Sequence, residues 1–104
     1  MFHHVVLMKF TAAADPAFHA AVEAYCERVR AGDPPPQRYV YHRNIAPRSD
    51  GLDYAIVAAF KDSAEHDRYQ VSATHLEMKA FMAPFIERLV ACDIDEAMRM
   101  VTSG

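Results

Sequence analysis

The chain has 104 residues, 52% of them hydrophobic and 24% charged, with a formal net charge of −3. This composition excludes a disordered or fibrous chain and predicts one folded domain over residues 1–104 with its own hydrophobic core. The acidic balance and the scattered Lys and Arg argue against nucleic acid and anionic membranes as partners, and no apolar run is long enough to span a bilayer.

The first stretch, MFHHVVLMKF, has neither the basic start nor the small-residue cleavage site of a signal peptide. Cys26 and Cys92 show no metal-ligand or CxxC spacing, so they read as reduced thiols of a cytoplasmic protein. His4 to Phe10 is a β-branched, almost wholly apolar run, which predicts a strand covered on both faces. Asp15 then offers an N-cap with Pro16 at the first helical position. Phe18, Ala21, Val22, Tyr25, Cys26 and Val29 follow at helical spacing, and Gly32 with the prolines after it closes the helix.

Gln37 to Ile45 reads as a second strand and Leu52 to Phe60 as a third, joined by a turn containing Pro47, Asp50 and Gly51. In the third strand Tyr54, Ile56, Ala58 and Phe60 share one face, and Ala55, Val57 and Ala59 fill the other. Ser63 is the expected cap of a short helix ending near Val71. A main helix is expected from His75 to about Leu89, with Met78, Met82, Phe85, Ile86 and Leu89 as its buried stripe and a bend at Pro84. Thr74 and Glu77 have capping-box spacing, which would make His75 the first helical residue. There the positive end of the helix dipole favours a neutral imidazole. Val90 to Val101 completes the chain as a last strand.

The order β-α-β-β-α-β predicts an α+β, ferredoxin-like subunit: a four-stranded antiparallel sheet with its helices on one side. Helices on one side leave the other sheet face bare although it too is apolar. Burial is worth about 25 cal/mol per Å², so a second copy of the chain is the expected cover and a homodimer the expected state.

Three residues stand out for chemistry. A neutral His75 is suited to general-base work, Tyr69 to holding a carbonyl oxygen, and His4 lies on the same strand face as Val6, Met8 and Phe10. The bland readings are a helix-start histidine bonded to a carbonyl, an amphipathic core tyrosine and a satisfied core histidine. His3, His4, His66, Asp67 and His75 lack metal-ligand spacing, so no metal and no cofactor is expected.

HVVLMKF, DYAIVAAF, the pair Tyr69 and Thr74-His75, and FMAPFIERL together resemble the stress-responsive A/B barrel family over His4 to about Ile94. The resemblance implies a subunit whose sheet closes with its partner's into a dimeric α+β barrel. It is also similar to that family's plant polyketide cyclases of the olivetolic-acid-cyclase type, which carry out cofactor-free aldol cyclisation. On that pattern His75 would be the general base, Tyr69 the substrate-polarising tyrosine and His4 the strand histidine, with the histidine six positions after the tyrosine. Val71-Ser72-Ala73-Thr74-His75 departs from the family's usual His-Pro before Ala-His. The leading expectation is thus a homodimer binding a small apolar or aromatic molecule between sheet and helices, with acid–base chemistry. Two rival readings are a non-catalytic stress or interaction module with a pocket filled by Met and Phe, and a cofactor-independent monooxygenase.

Overall fold

A computed structural model describes residues 1–100. Its elements are β1 (Phe2–Phe10), α1 (Pro16–Arg30), β2 (Arg38–Arg43), β3 (Tyr54–Phe60), α2 (Ser63–Gln70), α3 (Ala73–Met82), a 3₁₀ turn (Ala83–Phe85) and β4 (Ile86–Asp95). The strands form one antiparallel sheet in the order β2-β3-β1-β4, the ferredoxin-like arrangement.

Local chemistry accounts for most of the element starts. Asp15 caps α1, its carboxylate accepting from Phe18 N–H at 2.8 Å, and Pro16 takes the first helical position, where its missing N–H costs nothing. Asn44 closes the end of β2 locally, donating to the Leu52 carbonyl and accepting from Ala46 N–H. Gly51 has φ of +76° in the loop between β2 and β3, a conformation that glycine adopts without a Cβ penalty.

One sheet face packs against the helices. Met8, Ile56, Ala58, Phe60 and Tyr39 meet Phe18, Val22, Cys26 and Val29 of α1 and Tyr69, Met78 and Met82 of α2 and α3 in one buried cluster. The aromatic residues of β2 and β3 therefore serve the core: Tyr39 is buried, and Tyr41 stacks on Tyr54 with centroids 5.9 Å apart. Alternation sends Val5, Leu7, Val57, Val90, Cys92 and Ile94 to the opposite face, where Val57, Val90 and Ile94 are exposed.

Four sequence expectations are corrected. The capping box at Thr74 and Glu77 does not form. Ser72 is the cap, its hydroxyl accepting from His75 N–H at 3.2 Å, and Glu77 instead accepts from Arg28 of α1 at 2.8 Å. His75 is consequently the third helical residue rather than the first. The short helix is capped by Asp62, not Ser63, through Glu65 N–H at 2.9 Å. The main helix stops at Met82 instead of bending at Pro84, because proline both lacks the N–H and crowds the preceding turn. The last strand accordingly starts at Ile86, so Ile86 and Leu89 are strand residues. It ends at Asp95, where Ala97 and Met98 N–H groups turn back onto Asp95. Met98 and Met100 thus lie outside any strand, and Val101, the expected strand end, lies outside the described residues.

Candidate functional site

A cavity of about 480 Å³, open to solvent, lies between the helix-facing side of β1 and β4 and the inner sides of α2 and α3. His4, Tyr69 and His75 all line it, together with Gln70, Lys79 and Asp93. Val6, Met8, Ile56, Met78, Met82, Ile86 and Ala91 make the rest of its wall mostly apolar. The volume falls in the ordinary range of small-molecule pockets, about 300–1,000 Å³.

Each polar group is held by its element. The Ser72 cap starts α3 so that His75 sits in its first turn, with Nδ1 of the ring 3.0 Å from the Gln70 carbonyl. A carbonyl only accepts, so Nδ1 carries the proton and the neutral ring keeps its lone pair on Nε2. Burial lowers the His75 pKa below the usual histidine value, with Lys79 and His4 adding to the effect and the Gln70 bond opposing it. The Tyr69 ring lies 4.5 Å from that of His75. Its hydroxyl is 2.6 Å from the hydroxyl of Tyr39, deep in the core, and burial drives both phenols' pKa values up. Neither ionises near neutrality; Tyr69 offers a hydrogen bond, not a phenolate.

His4 is buried on β1, and its Nδ1 lies 2.5 Å from an Asp93 carboxylate oxygen on β4. The strand register sets this pair, since His4 and Asp93 are direct partners across the ladder. His66 of α2 stands beside them, its ring 4.7 Å from that of His4 and stacked on Phe2 at 4.3 Å. Burial lowers its pKa also, with His4 contributing in the same direction.

The three candidate residues thus share one cavity wall. Asp93 and Tyr39 were missed as members of the site. Asp93 follows only from the β1–β4 register, which a strand starting at Val90 does not reveal. His66 precedes Tyr69 by three residues, one helical turn, and that spacing was visible in the sequence.

A family model described as the stress responsive A/B barrel domain matches residues 2–96. No curated protein matches the chain at a significant level. Among solved structures, the chain is similar to a dimeric ferredoxin-like protein of unknown function from Thermobifida fusca, with 20% identity, a TM-score of 0.77, and 90% of this chain and 89% of that one covered. It is similar to a Dabb family protein with a ferredoxin-like fold from Mesorhizobium loti, at 17% identity and a TM-score of 0.73, with 99% and 97% covered. A hydroxynitrile lyase from Passiflora edulis has 18% identity and a TM-score of 0.78, with 94% and 96% covered. At such identities the likeness is one of fold.

Proposed function

The chain belongs to the stress responsive A/B barrel domain family, and from that premise we propose that it is a homodimer that binds a small apolar or aromatic carbonyl compound and moves protons on it without a cofactor. The observation that carries this reading is the presence of His4, Tyr69 and His75 in the wall of one open, mostly apolar cavity. The chemistry is of the aldol type. His75 Nε2 takes a proton from the carbon beside a carbonyl, and the carbonyl oxygen gains charge as the enolate forms. Tyr69 donates to that oxygen: when Tyr39 supplies the proton of the shared hydroxyl pair, the Tyr69 proton is free for substrate. Lys79, on the same wall, adds a positive charge to the site. The enolate carbon then attacks a second carbonyl, and His75 returns its proton to the new alkoxide. His4, fixed by Asp93, orients the substrate.

The hydroxynitrile lyase among the similar structures supports catalysis as a use of this fold. The rival reading of a non-catalytic module requires a pocket filled by Met and Phe. Met8, Met78 and Met82 bound the cavity but leave about 480 Å³ open, which favours a ligand. The homodimer has support from the exposed apolar sheet face and from the similar structures described as dimeric.

The test follows α-proton exchange of aryl ketones in deuterated water by proton NMR. Wild type accelerates exchange, His75→Ala loses about 10²- to 10⁴-fold of that acceleration, and Tyr69→Phe loses a smaller part, with both variants remaining folded dimers. Equal exchange in wild type and both variants would remove the assignment.

A further inference from the structure

Two buried imidazoles and one carboxylate meet where β1, α2 and β4 converge. The donor atoms of His4, His66 and Asp93 all lie within 4.8 Å of one another. His4 and Asp93 belong to the cavity wall, and His66 joins them from α2. We propose that these three side chains bind a single divalent cation of the zinc class, leaving its remaining coordination positions to a ligand in the cavity.

The donor set selects the ion. Two nitrogens and one oxygen suit zinc, cobalt(II) or iron(II), whereas magnesium and calcium prefer oxygen alone. Around a tetrahedral ion with bonds of about 2.0–2.1 Å, neighbouring donors stand about 3.3 Å apart. The present spacing is wider at its largest, and the side chain able to close it is that of Asp93, which is half-exposed while both imidazoles are buried. Asp93 bonds His4 and not His66, and a cation would link all three.

The surroundings resemble a supported coordination sphere. Phe2 stacks on His66, and Phe60 meets its edge at 5.4 Å, so the ring is fixed. The Gln70 amide is 2.9 Å from His66 Nε2. Its nitrogen donates there, so the neutral ring carries its proton on Nδ1 and releases it on binding an ion through that atom. With an ion bound, His4 and Asp93 become its ligands in place of the substrate-orienting pair of the proton-transfer reading; ion binding is measured without a substrate, so the two readings fail separately.

Tag-free protein stripped with chelator is titrated with zinc by calorimetry and with cobalt(II) by visible absorption. The expected result is one ion per chain with micromolar or tighter affinity and the intense d–d bands of tetrahedral cobalt. His66→Gln and Asp93→Asn should each weaken binding by about tenfold or more, while His42→Ala, an exposed histidine on β2, should not. Because a core variant can fail to fold, the imidazole resonances of wild type are followed in parallel: zinc should shift His4 and His66 and leave His19 and His42 in place. Absence of both heat and cobalt bands in wild type would overturn the proposal. So would unchanged affinity in a folded His66→Gln, or zinc-induced shifts confined to His19 and His42.

Discussion

His75 owes its fitness as a base to two neighbours as much as to its helix. The Gln70 carbonyl holds the proton on Nδ1, and the enclosing wall makes the charged ring costly. The lowered pKa sets the sign of a pH effect. The ring is neutral at pH 7, and its basic form is lost only as pH falls through a value below the ordinary 6.5. The kcat/KM of ketone exchange should therefore form a plateau at neutral pH with an acid limb below 6.5, read from a pH–rate profile. A limb above 6.5 would mean that burial does not govern this histidine. Tyr69 behaves differently: with its pKa driven up, it should impose no alkaline limb in the neutral range.

At the scale of elements, the α2–α3 junction places the catalytic candidates. Ser72 both caps α3 and donates its hydroxyl proton to the Tyr69 carbonyl at 2.8 Å, so one side chain ties the tyrosine's helix to the histidine's. Ser72→Ala should cost about 1 kcal/mol, the usual value of an N-cap, and lower Tm by about 4–8 °C in scanning calorimetry. An unchanged Tm would show that the cap is not stabilising. This junction also marks the limit of sequence reading. The early strands and α1 were legible because alternation and the Asp15-Pro16 start are local signals. The end of α3 was not, because Ile86 and Leu89 continue the spacing of Met78 and Met82 as though the helix ran on. What decides is Pro84 together with pairing to β1, where Leu89 faces Met8 across the ladder. Tyr69 and His75 were visible by their spacing. Asp93 was not, since its place opposite His4 depends on a register set by residues far apart in the chain.

For the whole molecule, the dominant fact is a sheet that the described residues clothe on one side only. Val57 lies in the middle of the bare face, beside Val5 on β1 and Val40 on β2. Val57→Lys should convert the proposed dimer to a monomer in sedimentation experiments, since burying an ammonium opposite apolar partners is strongly unfavourable. Cys92 on that face reports the same change chemically. It should react slowly with thiol reagents in wild type and fast in the variant, while Cys26, buried with its thiol pKa pushed up to about 12, stays silent in both. Equal Cys92 rates would argue against sheet-to-sheet packing. The bare face ends at β4, a ten-residue strand at the border of the sheet, bonded among the described residues to β1 alone and exposed along most of its length. Its outer row of unpaired N–H and C=O groups is a template that any extended polypeptide can join. A separated subunit of the proposed dimer would carry the bare apolar face and this edge together, which makes it the aggregation-prone form.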